Sequence, residues 1–161
     1  MTDEVGYRRA TAADAEAVAA VIAAVVAEPQ PVGLDRAFSA GEVRTWIGRL
    51  GEPGLLLLAE ARGRTLGFGA LDFDTREPEA ASLGVWLLPE ARRRGIGTRL
   101  AEGLLAHARA GGFRRVVGRL PNDPTNSNEA ALSFLSSIGG LAPMINSMGP
   151  DGPELRFELP L

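Results

Sequence analysis

The first third of the chain carries two segments in which apolar side chains recur at helical spacing. In the first segment they lie three and four positions apart and end before two prolines, which predicts a helix over residues 12–27. Thr11 precedes this helix as an N-cap, with Asp14 three positions later in a variant of the capping box. The second pattern predicts a helix that Ser39 caps and that ends at Leu50. The periodic residues are Val18, Val21, Ile22 and Val25 in the first segment, and Val43, Trp46, Ile47 and Leu50 in the second.

Strand patterns occupy much of the remaining chain. The apolar run at residues 55–60 is typical of a strand buried on both faces, and a turn at 61–64 joins it to an antiparallel partner at 65–74. Two more helices are predicted at 97–110 and 128–137, each followed by a pair of glycines. The other predicted strands end at residue 10 or cover 80–88, 114–120, 141–145 and 154–161. This order predicts an α+β fold, a mixed and mostly antiparallel sheet flanked by helices, in one domain over residues 1–161.

The composition limits the classes of protein to which the chain can belong. Its net charge is −3, so no basic nucleic-acid footprint is expected, and its apolar runs are far shorter than a membrane span. The first residues contain neither the basic nor the apolar segment of a signal peptide. We therefore expect a cytoplasmic protein without nucleic-acid or membrane partners.

Three reactive residue types are absent or rare in the sequence, and this limits the possible catalytic mechanisms and metal sites. The sequence has no cysteine and no lysine, which excludes disulfides, thiolate sites and thiol or Schiff-base nucleophiles. One histidine cannot form a histidine-rich metal site, so no metal centre is expected, and His107 is interpreted as a structural residue.

The most informative segment is a turn at residues 92–98, called the cradle turn below, between an apolar strand and a predicted helix. A helix N-terminus leaves backbone N–H groups without partners and carries partial positive charge, both of which favour an anion. Its two glycines let the backbone approach such a ligand, and its three arginines add charge. The pattern predicts a pyrophosphate site formed by Arg92, Arg93, Arg94, Gly95, Ile96, Gly97 and Thr98.

Two common nucleotide-binding motifs do not fit the cradle turn. A dinucleotide fingerprint requires a third glycine where this chain has Leu100, and a Walker loop requires a lysine, which the sequence lacks. An Arg-x-x-Gly-x-Gly pattern after a proline-terminated strand instead resembles motif A of the GNAT superfamily of acyl-CoA-dependent N-acetyltransferases. The likeness covers residues 83–100, and residues 7–14 are similar to the family's first strand and capped helix. Residues 128–139, beginning at Asn128, resemble the family's second signature and its helix.

The resemblance implies the GNAT fold and a way of binding the donor. Acetyl-CoA is the expected co-substrate, with its pyrophosphate on the cradle turn and its pantetheine amides paired with the strand edge at Val85, Trp86 and Leu87. The N–H of Leu87 is expected to stabilise the oxyanion of the thioester. Asn128 is expected to contact the coenzyme arm. Trp86 is interpreted as core or pocket wall and not as a catalyst.

The implied reaction is direct attack by a primary amine of a small molecule or peptide on the acetyl thioester, without a covalent enzyme intermediate. Two positions depart from the family pattern: Leu135 stands where a proton-donating tyrosine is common, and Ser82 lies in the region of a common glutamate base. Glu79 is expected as the substitute base, with Asp72 and Asp74 as further candidates. These departures leave an alternative open, a non-catalytic acyl-CoA-binding sensor or partner module. A homodimer is also considered, because the family often pairs through sheet edges or terminal strands.

Overall fold

The computed structural model describes residues 4–28, 36–121, 145–149 and 152–161. Within these ranges the chain forms one seven-stranded sheet and three α-helices. The helices are α1 Ala15–Val26, α2 Ala40–Leu50 and α3 Ile96–Ala110. The strands are β1 Gly6–Arg9, β2 Leu55–Ala61, β3 Arg64–Phe73, β4 Ala80–Leu87, β5 Arg115–Pro121, β6 Ile145–Gly149 and β7 Gly152–Pro160.

Helix α2 begins at its predicted cap Ser39, and the predicted cap Thr11 begins the short helical turn that leads into α1. At α2 the Glu42 N–H donates to the Ser39 hydroxyl and the Ser39 N–H donates to the Glu42 carboxylate, each at 3.1 Å. At Thr11 the N–H donates to the Asp14 carboxylate at 2.8 Å. The Asp14 N–H donates to the Thr11 carbonyl, and this tight bond makes residues 12–14 a short 3-10 turn. The α-helix therefore starts at Ala15, three residues later than predicted.

The sheet is mixed and mostly antiparallel, as predicted, with the strand order β1-β2-β3-β4-β5-β7-β6. The predicted hairpin is confirmed, since β2 and β3, which flank the turn, pair antiparallel. Among the strands that the structure describes, only β4 and β5 pair in parallel, and α3 lies in the connection between them. A parallel pair needs such a crossover, because its chain must return to the end at which it started.

The helices cover the two faces of the sheet and bury an apolar core on each. Helices α1 and α2 pack on one face against the buried Leu56, Leu58 and Phe68. Helix α3 packs on the other face, where Leu104 meets Leu71 and other strand residues. The segment at 55–60 is buried along most of its length, which confirms the interpretation of its continuous apolar run.

Of the predicted strand at 141–145, only Ile145 lies among the described residues. Ile145 belongs to β6, which continues to Gly149, beyond the end of the predicted strand. Asn146 and Ser147 carry no apolar signal, yet they pair with β7, and the pairing extends to Gly149, the register partner of Gly152. The predicted helix at 128–137 lies outside the described residues.

Candidate functional site

The main feature of the site is an opening within the sheet between β4 and β5. These parallel strands pair only at Ala80–Arg115, Ala81–Val116 and Ser82–Val117. Beyond Ser82, residues 83–87 of β4 have no strand partner on that side among the described residues, while β5 continues to pair with β7. We call the space between residues 83–87 of β4 and 118–121 of β5 the strand gap.

The direction of the backbone groups along the strand gap follows from two hydrogen bonds. The Leu88 N–H donates to the Leu66 carbonyl of β3 at 2.9 Å, and the Glu79 carbonyl accepts from the Arg114 N–H at 2.8 Å on the β5 side. Because successive residues of a strand present their N–H and C=O groups to alternate sides, odd-numbered residues of β4 face the gap. Val85 and Leu87 therefore direct their N–H groups into it, as the expected roles of both residues require.

Trp86 corrects one expectation, because its backbone does not face the strand gap. As an even-numbered residue and the register partner of Phe68, it directs its N–H and C=O toward β3. Its ring lies on the α1 and α2 face, with its centroid 5.2 Å from that of Phe68. A Cβ on Gly84 would lie 2.2 Å from the Trp86 ring, so the absence of a side chain there leaves room for the indole. This agrees with the interpretation of Trp86 as core or pocket wall.

The end of β4 is held close to β3 at a glycine. A Cβ on Gly67 would lie 2.6 Å from the Trp86 carbonyl oxygen and 3.0 Å from the Leu87 Cα. Such distances are shorter than ordinary van der Waals contact, so only glycine allows this approach. Gly67 therefore positions the peptide that carries the Leu87 N–H.

The cradle turn leads from the end of β4 into α3. A 3-10 turn at Pro89–Ala91 follows the strand, and Arg93 and Gly95 both adopt positive φ angles, 62° and 78°, before the helix starts. The Arg99 N–H donates to the Gly95 carbonyl as the first helical bond. The preceding N–H groups of Ile96, Gly97 and Thr98 consequently have no partner within the helix. Ile96 packs in one apolar cluster with Leu87, which places this helix start against the end of β4.

The three consecutive arginines differ in their surroundings. The Arg92 guanidinium is ion-paired with Glu28 at 2.6 Å and also donates to the Leu87 carbonyl. Arg93 and Arg94 are exposed, and no ion pair is found for either of them within the described part of the chain. Arg93 and Arg94 therefore supply positive charge at the start of α3, while the charge of Arg92 is already compensated by a carboxylate.

The expected base Glu79 does not lie near Leu87. Glu79 directly precedes the first residue of β4, eight positions before Leu87, which corresponds to about 26 Å along an extended strand. It is exposed and lies 3.9 Å from Arg114 and 4.0 Å from Arg115. One acetyl group cannot reach both residues, so the structure corrects the expectation that Glu79 and Leu87 act together.

The other carboxylates that the sequence suggested are paired. Asp72 accepts bonds from both Arg49 amino groups at 2.9 and 2.7 Å and from the Trp46 indole at 3.0 Å. Burial raises the pKa of Asp72, but the bonds from Arg49, the Phe73 N–H and Trp46 outweigh it, so the pKa lies below its usual value. A carboxylate held in this way is a weak base. Asp74 is ion-paired with Arg76 at 2.8 Å.

Several expected residues cannot be placed, and two others enter only through the tertiary structure. Asn128 and Leu135 lie outside the described residues. Glu28 and Gly67 were not indicated by the sequence, because neither belongs to a local motif and both act on residues far along the chain. In a set of related sequences, the signal that could reveal them is covariation of position 28 with Arg92 and of position 67 with Leu87.

The part of the chain that the structure describes was also searched for a metal site and a membrane span. Among these residues no group of three or more histidine, aspartate or glutamate side chains is placed to hold a metal ion. No described helix has the length and apolar character needed to cross a membrane. His107 contacts the Glu52 carbonyl at 3.0 Å, in agreement with a structural role.

Comparisons with known proteins give a consistent assignment of the fold. Residues 18–139 match the model of the Acetyltransferase (GNAT) family. A GNAT-family acetyltransferase from Streptococcus pneumoniae is similar in structure, with a TM-score of 0.80, 19% identity, and coverage of 98% of this chain and 100% of that one. A putative acetyltransferase from Salmonella typhimurium, solved with its cofactor acetyl-CoA, has a TM-score of 0.79, 20% identity, and coverage of 98% and 94%.

A third similar structure is a GNAT superfamily phosphinothricin acetyltransferase from Sinorhizobium meliloti in complex with acetyl-CoA. Its TM-score is 0.80 at 20% identity, with coverage of 98% of this chain and 88% of that one. At such identities the likeness shows the fold and not the substrate. A search of curated protein sequences found no match.

Proposed function

The chain belongs to the acetyltransferase (GNAT) family, and from this premise we propose that it transfers acetyl from acetyl-CoA to a primary amine of a small molecule or peptide. The observation that carries the proposal is the strand gap, whose free β4 edge leads directly to the N-terminus of α3. The extended pantetheine arm of acetyl-CoA fits the first feature, and its pyrophosphate fits the second. Two structural neighbours contain acetyl-CoA, which supports this coenzyme as the donor.

In this proposal the pantetheine arm occupies the strand gap as an added strand. Its amides pair with the groups of β4 that face the gap, chiefly those of Val85, while the pyrophosphate accepts bonds from the N–H groups of Ile96, Gly97 and Thr98. The exposed Arg93 and Arg94 add attraction for the phosphates. Asn128 remains a proposed contact to the coenzyme arm.

The chemical step is direct transfer. The neutral amine nitrogen attacks the thioester carbonyl carbon, the carbonyl oxygen becomes an oxyanion, and the Leu87 N–H donates a hydrogen bond to it. The C–S bond then breaks, the thiolate leaves as CoA, and the ammonium proton passes to water or to the thiolate. No residue forms a covalent bond with the acetyl group. Placing the two reactants together contributes much of the acceleration, provided that the amine arrives unprotonated.

Two measurements test this proposal. Acetyl-CoA titrated into the protein is expected to raise its melting temperature, because a ligand that binds only the folded state stabilises it. A panel of small amines and peptides is then screened for release of free CoA thiol. No melting shift at millimolar acetyl-CoA contradicts the donor assignment.

A second candidate function is a module that binds acyl-CoA without turning it over. It is favoured by the positions of the two candidate bases, since Asp72 of β3 is held by Arg49, and Glu79, which precedes β4, lies about 26 Å from Leu87. The same two assays separate the candidates. A binding module shows the melting shift but releases no CoA above background with any amine, whereas an enzyme shows both.

A further inference from the structure

Glu28, Arg92 and the Leu87 carbonyl form a three-part contact between α1 and the end of β4. Both Arg92 amino groups bind the Glu28 carboxylate, Nη1 to Oε1 and Nη2 to Oε2, each at 2.6 Å. The second hydrogen of Nη2 is donated to the Leu87 carbonyl oxygen at 2.9 Å. Glu28 is the second residue after α1, and its N–H donates to the Val25 carbonyl at 3.1 Å, which holds its backbone to the helix end.

This contact lies on the free edge of β4. The Leu87 carbonyl faces the strand gap, where no neighbouring strand of the described chain supplies an N–H group. Arg92 provides that missing donor and leaves the Leu87 N–H, on the same side of the strand, as the open group. Two hydrogen bonds that the guanidinium donates to the Glu28 carboxylate keep it in place, a paired geometry that arginine favours with carboxylates.

The same contact argues against Arg92 as a phosphate ligand. Both hydrogens of its Nη2 are already donated, and its charge is compensated by a carboxylate that is only 24% exposed. Arg93 and Arg94, which are exposed, have neither restriction.

We infer that Glu28 and Arg92 are positioning residues, which hold Leu87 through its carbonyl so that the N–H of the same residue points at the acyl carbonyl of the bound donor. The inference rests on the proposed function, since it assumes that acetyl-CoA lies in the strand gap. A role at the acyl carbonyl can be told apart from phosphate binding by comparing two coenzymes. Glu28 and Arg92 should affect the affinity for acetyl-CoA, which has a thioester carbonyl. They should not affect the affinity for CoA, which lacks that carbonyl but has the same phosphates.

The test compares the dissociation constants of CoA and acetyl-CoA by titration calorimetry, below the melting temperature of every variant. The variants are Glu28→Ala, Arg92→Ala, the double variant and Glu28→Gln, with Arg76→Ala as the control that removes an exposed ion pair away from the gap. Each alanine variant is expected to weaken the binding of acetyl-CoA about three- to tenfold, which corresponds to the loss of one hydrogen bond. The dissociation constant of CoA should stay unchanged. The double variant should lose no more than either single one, because the pair acts as a unit.

The Glu28→Gln variant guards against a loss that reflects only damage to the fold. Its amide oxygen still accepts a bond from Arg92, so part of the preference for acetyl-CoA should return. Equal weakening of both coenzymes by Arg92→Ala, or tighter binding of both by Glu28→Ala, overturns the inference and makes Arg92 a phosphate ligand. Unchanged affinities in all variants also overturn it. A wild-type protein that binds neither coenzyme instead overturns the proposed function, and the inference falls with it.

Discussion

Replacing Gly67 by alanine should disturb the donor site through a single methyl group. The new Cβ would lie 2.6 Å from the Trp86 carbonyl oxygen, whereas ordinary contact begins at 3.4 Å. The difference of 0.8 Å is the distance by which the peptide joining Trp86 and Leu87 must move or β3 must yield. This peptide is planar and trans, so its carbonyl cannot be pushed away from β3 without carrying the Leu87 N–H further into the strand gap.

Two magnitudes follow from this displacement. Overpacking of this kind costs about 1–3 kcal/mol, against a gain of about 0.4–1 kcal/mol from the reduced freedom of the unfolded chain, so a net loss of stability is expected. A misplacement approaching 1 Å at the reacting carbonyl is expected to lower kcat/KM for acetyl-CoA by about 10- to 100-fold. The catalytic loss should therefore exceed what the fraction of unfolded protein explains.

The assay measures CoA release with the best amine of the panel, together with urea unfolding of the same samples. Gly48→Ala is the matched control, because it adds the same methyl group in the last turn of α2, where no atom beyond the neighbouring helix backbone lies within 4 Å. Alanine there should stabilise the protein by about 0.5–1 kcal/mol and leave kcat/KM unchanged. If Gly67→Ala keeps wild-type stability and kcat/KM, the close approach of β3 and β4 does not position the Leu87 peptide.

The remaining predictions concern two carboxylates. The Arg8 guanidinium, with weaker help from Thr11, lowers the pKa of Asp14 to about 2 from 3.8, so this group adds stability above about pH 4 that is lost as the pH falls toward 2. Asp14→Asn should thus lower the urea midpoint at pH 6, and the difference from wild type should shrink as the pH approaches 2; a constant difference would contradict the ion pair. Glu79→Ala should leave the acid limb of the pH–rate profile unchanged, because Glu79 lies about 26 Å from Leu87; a flattened limb would return Glu79 to the site.

Features that depend on a few consecutive residues could be predicted from the sequence. The cap of α2 is an example, since Ser39 and Glu42 are three positions apart and bond to each other's backbone. The cradle turn is another, because its glycines, its arginines and the helix start all lie within seven residues. Prediction was weaker at β6, where polar residues form a strand only because β7 pairs with them. Its position depends on a partner and not on its own pattern.

The sequence by itself determined the strand and helix types, the turn with its unpaired N–H groups, and through these the family resemblance. It could not determine which backbone groups face the strand gap, because that depends on where β4 stops pairing with β5 and on the alternation set by β3. For this reason Trp86 was placed on the wrong side, and Glu79 was combined with a distant Leu87. Only the tertiary structure joined Glu28 to Arg92, 64 positions apart, because the free energy of that ion pair depends on distance in space and not on separation along the chain.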